Sequence, residues 1–224
     1  MARTFGAERG LSRLMSFTDG VFAIALTLLI TEIKPPGAPD GPQVGASLLE
    51  AMAGQWRQDL ALLLGFSVTG AYWLQHHYSG AIYTKTDHVF GLLNLLFLLA
   101  IVIAPYPLRL WCFHVGTPHE RTASIALAVG VALLALGWMG KWLYALPHRR
   151  IMDDRLTDDF IKQMTRRYGG SALIQLLGVA LSFVAPRVGV AVVLLAVLFF
   201  LLPQPKPRYK PGQEPDGPEQ SEQS

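Results

Sequence analysis

Four side chains that carry charge or a hydroxyl oxygen stand out in and beside the first apolar stretch of the chain. Arg13 and Asp19 lie at its beginning, and Thr27 and Thr31 lie inside it. A charged group in or beside a membrane span is costly, so Arg13 and Asp19 need a partner or a function. Hydroxyl oxygens inside an apolar helix can orient water or ligate a partly dehydrated cation. The combination suits a helix that lines a narrow hydrated path.

Six residues of this stretch share one face if it is helical. At about 100° per residue, the positions within about 60° of Ile24 are Phe17, Gly20, Thr27, Leu28 and Thr31. The face mixes a glycine, two threonines and large apolar residues, which suits a pore wall. Two other interpretations stay open. Threonine in a span often bonds to its own backbone, and small or polar faces often pack against other helices.

The two charged residues at the start of the stretch also have alternative interpretations. Asp19 lies near a helix N-terminus, where the macrodipole favours a carboxylate and free amides can be capped. Alternatively, Arg13 and Asp19 pair with polar groups of other spans, and the candidates are Trp73, His76 and Asn94. Asn94 is the only amide in the middle of the third apolar run. A buried amide without a partner costs a few kcal/mol, so Asn94 is expected to have one.

The remaining reactive residues form no enzyme or metal constellation. The sequence has no nucleophile elbow, P-loop or HExxH motif, and its single cysteine, Cys112, allows no intrachain disulfide. His76 and His77 are adjacent, so on a helix they point about 100° apart and cannot chelate one ion together. We therefore expect neither an enzyme nor a bound cofactor. No Thr-Val-Gly-Tyr-Gly filter occurs, so side chains must do the selecting if ions pass.

Composition places the chain in a membrane. Hydrophobic residues make up 51% of the chain and charged residues only 16%, against about 25% charged in soluble domains. No segment alternates with the period of a barrel strand, so any spans must be helices. The sequence therefore predicts an all-α integral membrane protein that contacts the lipid bilayer and binds no nucleic acid. The net charge of +3 is interpreted as a sign of orientation.

Six spans are predicted, at residues 13–33, 59–76, 88–110, 123–146, 169–184 and 188–202. Together they make one transmembrane domain, residues 1–202. Pro186 and Arg187 leave almost no loop between the last two spans, which predicts a tight helical hairpin. Residues 203–224 are rich in proline and polar side chains, and we expect them to be a disordered cytoplasmic tail.

Lysine and arginine are distributed unevenly between the two sides of this six-span arrangement. With the N-terminus inside, most of the 19 lysine and arginine residues fall in inside segments, and Lys141 is counted among them. The positive-inside rule then predicts that both termini are cytoplasmic. Residues 148–167 carry much of this excess, and their mixed charge is interpreted as a solvated turn that faces anionic headgroups.

The string RLMSFTDGVFAIALTLLITEIK, residues 13–34, resembles the RxxxFSDG first helix of the transmembrane-protein-175 family of endolysosomal and prokaryotic potassium channels. Further similarities are Trp73 with His76 in YWLQHH, Asp87, Asn94 in GLLNLLFLLAIVIAP, and the Pro105-Tyr106-Pro107 break. The resemblance covers the six spans, and its specific part is the first and third helices. The one departure noted is Thr18, where the family usually has serine, and it keeps the hydroxyl.

The resemblance implies a potassium-selective cation channel in the plasma membrane of a prokaryote. The one-repeat form assembles as a homotetramer whose first helices line a central pore. By the resemblance, Ile24 corresponds to a hydrophobic constriction and Thr27 to a selectivity layer, with Leu28 and Thr31 further along the same face. Potassium would pass transiently near Ile24 and Thr27. Supporting roles fall to the signature residues and their expected neighbours: Arg13, Phe17, Thr18, Asp19, Trp73, His76 and Asn94.

Two other functions compete with the channel. One is a small secondary transporter, in which Asp19 and His76 would carry protons or couple a substrate. Transporters of this kind are often built from internal repeats and broken helices, and we find no internal repeat in the sequence. The other is a membrane enzyme or a non-conducting scaffold. The oligomeric state and the type of flux distinguish these possibilities.

Overall fold

The computed structural model describes residues 2–45, 47–147, 149 and 151–214, with side chains from residue 10 onward. Regular structure in this part of the chain is helical, apart from two isolated β-bridges. The helices are α1 (Ala2–Leu28), α2 (Leu48–Gly54), α3 (Trp56–Ser79), α4 (His88–Ile103), α5 (Pro105–His114), α6 (Glu120–Ala145), α7 (Asp158–Ser182) and α8 (Pro186–Leu198). Short 3₁₀ turns, Leu29–Glu32 and Phe199–Leu201, extend α1 and α8. The predicted all-α class is confirmed.

Helix length and hydropathy identify the stretches that can cross a membrane. Among the described residues, three qualify: Gly10–Glu32, His88–His114 and Glu120–Ala145. The second of these joins α4 and α5, because Pro105 lies in the first turn of α5, where its missing N–H leaves no bond unmade. Pro186–Leu201 is apolar but shorter. The long helices α3 and α7 carry more polar residues, so the count of six spans stays a prediction.

Helix α6 lies at the centre of the bundle, and α1 lies at its edge. α6 packs against α4, α5, α7 and α8 and buries Leu127, Leu134 and Trp142 almost completely. α1 packs against α3 and α4 only along one side. In the most apolar part of each helix, 17% of the residues of α1 are buried, against 50% of the residues of α6. The uncovered side of α1 must therefore meet lipid, water or another chain.

Side chains at the helix starts set the positions of α4 and α7. Asp87 precedes α4, and its Oδ1 accepts from the backbone N–H of Phe90 at 2.9 Å, which satisfies one of the free amides of the first turn. The hydroxyl of Tyr144 on α6 donates to Asp87 Oδ2 at 2.8 Å. This second bond fixes the register of α4 against α6. In the same way, Thr157 caps the start of α7.

The last two helices form the tight hairpin that the sequence predicted. α7 ends at Ser182 and α8 begins at Pro186. Gly189 permits the close approach, because a Cβ added there would lie 2.5 Å from the backbone nitrogen of Ser182 and 2.7 Å from the carbonyl oxygen of Gly178. Backbone atoms cannot move away cheaply, so only glycine fits at this crossing.

The prediction of a disordered tail is wrong for residues 203–214, which run back along the bundle. The backbone N–H of Thr157 donates to the carbonyl of Arg208 at 2.9 Å, and Tyr209 packs against the hydrophobic core. The composition argument failed because the loop before α7 presents free backbone groups that the tail can pair with. Residues 215–224 lie outside the described part of the chain, and so does the rest of that prediction.

The loop that receives the tail is held by an ion pair. The guanidinium of Arg155 donates to both carboxylate oxygens of Asp153, at 2.8 to 3.2 Å. These hydrogen bonds favour the ionised carboxylate and hold the pKa of Asp153 below its usual value. The backbone N–H of Asp153 donates to the carbonyl of Ile82 at 2.8 Å. The loop is therefore connected to the end of α3 as well as to the tail.

Lys141 does not belong to a cytoplasmic segment, so its assignment in the orientation count was wrong. It lies within α6 and is 3% exposed. Its side chain faces α4. The rings of Phe90 and Phe97 on α4 and of Trp138 on α6 surround the ammonium, with centroids 4.7 to 5.6 Å away. Aromatic π faces attract a cation, which offsets part of its loss of hydration.

Candidate functional site

The predicted face of α1 points away from its own subunit. All six of its residues are exposed, and Ile24 is 60% exposed. The opposite side of the helix carries Phe22, which is 0% exposed, and Leu29 follows in the 3₁₀ turn at 7%. Because a large aliphatic side chain such as Ile24 gains nothing from facing water, the face is suited to contact with lipid or with further copies of a chain.

The two threonines of this face bond to their own helix. Thr27 Oγ1 donates to the carbonyl oxygens of Ala23 and Ile24, at 2.9 and 3.0 Å. Thr31 Oγ1 donates to the carbonyl of Leu28 at 2.7 Å. The self-bonding interpretation left open by the sequence is therefore correct for the hydroxyl protons. It does not exclude a second role, because a hydroxyl has one proton and two lone pairs, and the exposed oxygens can still accept from water or ligate a cation.

An apolar groove of about 750 Å³ runs beside this face, between α1 and the α4–α5 stretch. Its wall includes Ile24, Leu28, Val102, Tyr106 and Phe113. An ion pair between Glu32 and Arg109 lies at the groove and connects the end of α1 to α5. The uncovered apolar surface of the subunit is thus continuous from the helix face into the groove.

Asp19 has two of the partners that the sequence offered for it on other helices, Trp73 and His76. Its Oδ1 accepts from the indole N–H of Trp73 at 3.2 Å and lies 3.7 Å from Nε2 of His76. The imidazole of His76 also stacks on Phe22, with centroids 6.0 Å apart. These contacts join α1 to α3. Asp19 is part of a helix that begins far upstream, at Ala2, so N-terminal capping is not its role.

Asn94 has a partner at both ends of its amide. Its Nδ2 donates to Thr18 Oγ1 at 2.8 Å, and Thr18 donates in turn to the carbonyl of Leu14 at 2.8 Å. The amide oxygen of Asn94 accepts from the ammonium of Lys141 at 2.7 Å. Thr18 and Asp19 are neighbours in sequence, so adjacent residues of α1 are tied to α4 and α3 respectively.

Two of the predicted signature residues do not join these contacts. Arg13 and Phe17 are exposed, and within the described part of the chain Arg13 forms no ion pair. Their positions on α1 direct them away from the side that meets α3 and α4, whereas Thr18 and Asp19 lie on or next to that side. Supporting roles for Arg13 and Phe17 stay predictions.

Lys141 is the residue of this cluster that the sequence analysis missed. A lone lysine within an apolar helix was a signal that could have identified it, since a charge at such a position requires partners. The described residues hold no group of three or more histidine, cysteine or acidic side chains that could bind a metal. The site is thus an exposed helix face supported from behind by a buried polar network.

The helical bundle, with an apolar first helix at its edge, places the chain among multi-pass membrane proteins. Its fold is similar to the crystal structure of a lysosomal potassium-selective channel TMEM175 homologue from Chamaesiphon minutus. The TM-score is 0.72 at 27% sequence identity, over 90% of this chain and 98% of that one.

The sequence comparisons agree with the structural one. The family described as endosomal/lysosomal potassium channel TMEM175 matches residues 13–105. A potassium channel of Streptomyces collinus is 32% identical over 191 residues, which cover 84% of this chain and 90% of the relative. The endosomal/lysosomal proton channel TMEM175 of Gallus gallus is 33% identical over 143 residues, 62% of this chain and 28% of that protein. The chain belongs to the TMEM175 family, which confirms the resemblance read from its first helix.

Proposed function

We propose that this chain is the subunit of a potassium-selective channel that is not an enzyme and holds no resident cofactor. The observation that carries the proposal is the exposed α1 face, on which Ile24 and Thr27 point out of the subunit. A helix at the edge of a bundle can line a path for ions only where several subunits meet. Relatives that match most of this chain are named potassium channels, which supports potassium as the permeant ion.

The assembly we propose is a homotetramer with four copies of α1 around a central axis. The exposed apolar surface of α1 and the adjoining groove of about 750 Å³ support it, since neighbouring subunits would cover both. Each subunit contributes one transmembrane domain, residues 1–202, with six spans and both termini in the cytoplasm of a prokaryotic cell. The lysine and arginine distribution supports this orientation in the plasma membrane.

Ile24 forms the gate in this arrangement. Four isoleucine side chains that converge on an axis make a narrow apolar ring, and such a ring can block ions by excluding water. Leu28 lies one turn further along the same exposed face and extends the apolar lining, and Thr31 follows. No charged side chain of the face interrupts this lining, so dewetting is the mechanism that suits it.

Thr27 provides the selectivity layer. Because its proton is committed to the carbonyls of Ala23 and Ile24, its oxygen presents only lone pairs to the axis. Four such oxygens can replace part of the water around a cation. A hydroxyl is a weaker ligand than a rigid ring of carbonyls, so we expect a modest preference for potassium over sodium.

Recording from the purified protein in planar lipid bilayers tests the function. With potassium on one side and sodium on the other, the reversal potential is expected to show preference for potassium. Potassium flux out of potassium-loaded liposomes, with valinomycin as the positive control, provides an independent readout. Intact oligomers that pass no potassium in either assay would contradict the proposal.

Proton movement is a second candidate function, favoured by two observations. The Gallus gallus relative is named a proton channel, and His76 lies 3.7 Å from the partly exposed carboxylate of Asp19. A pH-sensitive dye inside the same liposomes measures this activity. Acidification without potassium flux would favour protons as the permeant ion. Transport that requires a second substrate would favour a coupled transporter.

A further inference from the structure

The buried Lys141 is a charged group that the proposed pore mechanism does not use. It is 3% exposed and lies within the apolar helix Glu120–Ala145. Among the described residues, no carboxylate forms an ion pair with it. Its polar contact is the amide oxygen of Asn94, at 2.7 Å, and three aromatic rings enclose the rest of the ammonium. A buried cation of this kind is costly to keep, so its contacts call for an explanation.

The ammonium of Lys141 fixes which group donates and which accepts in the hydrogen bonds that run through Asn94 to Thr18. A lysine ammonium can only donate, so Asn94 must present its oxygen to Lys141. The amide nitrogen of Asn94 is then directed to Thr18 Oγ1, at 2.8 Å. Thr18 accepts that bond and gives its own proton to the carbonyl of Leu14, at 2.8 Å. If the amide were flipped, a nitrogen donor would face the ammonium, so the chain of bonds has one allowed direction.

This chain of bonds ends on the helix that carries the proposed gate. Thr18 is 0% exposed and lies on the side of α1 that faces α4. Ile24 and Thr27 follow it by about one and a half to two and a half helical turns, on the exposed side. Because α1 is a continuous helix from Ala2 to Leu28, the rotation of α1 at Thr18 sets the direction in which Ile24 and Thr27 point.

We infer that Lys141 is a positioning residue for the pore helix, which acts through Asn94 and Thr18. This inference rests on the proposed channel function. Lys141 orients the amide of Asn94, the amide holds Thr18, and Thr18 sets the rotation of α1 about its own axis. Lys141 itself is buried, and the contacts recorded for its ammonium are Asn94 and three aromatic rings, none of which belongs to the exposed face of α1.

A role in stability alone makes a different prediction. Replacing a buried charge by an apolar side chain of similar length is often neutral or stabilising, because the desolvation cost disappears. The variant Lys141→Met keeps the length and removes the donors. If Lys141 acts by positioning, this variant keeps the thermal unfolding temperature of the protein, but the rotation of α1 about its own axis is no longer fixed. Stability and channel function are then separated by one substitution.

The experiment compares Lys141→Met, Thr18→Val and the double variant in planar bilayers. Thr18→Val breaks the chain at its α1 end and leaves the Lys141–Asn94 bond in place. We expect each single variant to lower the open probability by about tenfold. The double variant is expected to match Thr18→Val, because without the hydroxyl Lys141 has nothing on α1 to position. Lys162→Met, on the exposed side of α7, is the control and is expected to behave like the wild type.

A second measurement does not depend on conduction. A spin label attached at Ile24→Cys, with the buried Cys112 replaced by alanine, reports the surroundings of the gate position. The spectrum is expected to change in Lys141→Met and in Thr18→Val, and to stay the same in Lys162→Met. An unchanged spectrum in the first two variants, or additive losses of open probability in the double variant, would overturn the inference. A wild type that passes no potassium would overturn the channel proposal alone, since the label still tests the positioning.

Discussion

Thr27 combines two properties that the sequence alone presented as alternatives. Its hydroxyl bonds to the backbone of its own helix, as threonines in spans often do. The same bond uses the only proton of the hydroxyl and leaves its lone pairs directed outward from an exposed position. With its proton used in this way, the oxygen is free to ligate a cation. Substitutions that keep the shape of the side chain but remove the oxygen can test this role.

Thr27→Val is expected to reduce selectivity because it keeps the shape and removes the oxygen. Loss of a contact worth about 0.5–1 kcal/mol corresponds to a fall of about two- to fivefold in the potassium-over-sodium permeability ratio. The reversal potential under bi-ionic conditions measures this ratio. Thr27→Ser retains the hydroxyl and is expected to stay near the wild type. A reversal potential that does not move in the valine variant removes Thr27 from the selectivity layer.

Ile24→Ala is expected to raise the single-channel conductance several-fold, because a smaller side chain widens the apolar ring and lowers its barrier to water. Ile30→Ala is the matched control. It removes the same atoms from a residue of similar exposure, 56% against 60%, which lies in the 3₁₀ turn after α1 and on a different side from Ile24. Single-channel recording measures both. Equal conductance in the two variants would show that Ile24 is not the constriction.

At the scale of elements, polar and close-packed contacts hold the helices in register. Asp87 caps α4 and accepts from Tyr144 on α6, which aligns Asn94 with its partners. At the far side of the bundle, α7 and α8 approach each other at Gly189. These contacts fix the frame against which α1 rests, so damage to the frame should appear as lost stability.

Gly189→Ala is expected to destabilise the protein by about 1–3 kcal/mol, because the added Cβ meets backbone atoms that cannot yield. Gly170→Ala is the control in the same hairpin, since a Cβ there meets nothing within 4 Å. Alanine also favours the helix over glycine by roughly 0.5–1 kcal/mol, so this control should be neutral or stabilising. Thermal unfolding in mild detergent compares the two. Equal unfolding temperatures would argue against the close crossing.

At the scale of the whole molecule, the exposed face of α1 fits the proposed assembly, in which neighbouring subunits cover it. We expect native mass spectrometry of the protein in mild detergent to give four copies. Ile24→Cys subunits should form disulfide-linked dimers on oxidation, because equivalent residues meet at the axis. Ile30→Cys subunits, which point away from the axis, should not. A stable monomer would exclude the shared pore and would favour transport within one subunit.

Several features of the molecule were predictable because they depend on local composition and spacing. The apolar stretches predicted an all-helical membrane protein, and the string from Arg13 to Asp19 predicted the family. The helical period placed Ile24 and Thr27 on one face. A charge near the membrane requires partners, so the sequence offered Trp73, His76 and Asn94 as candidates for Arg13 and Asp19. Asp19 contacts the first two.

Only the tertiary structure decided which side of each helix is covered. A helical period shows that Ile24 and Phe22 lie on different faces, but packing against α3 and α4 makes Phe22 the buried one. Likewise, the surroundings of Lys141 depend on the amide of Asn94 and the rings of Phe90 and Phe97, which are distant in sequence. The tail at Tyr209 is ordered by a loop that composition does not reveal. Contacts between residues far apart in sequence leave no local pattern, so these features could not be predicted.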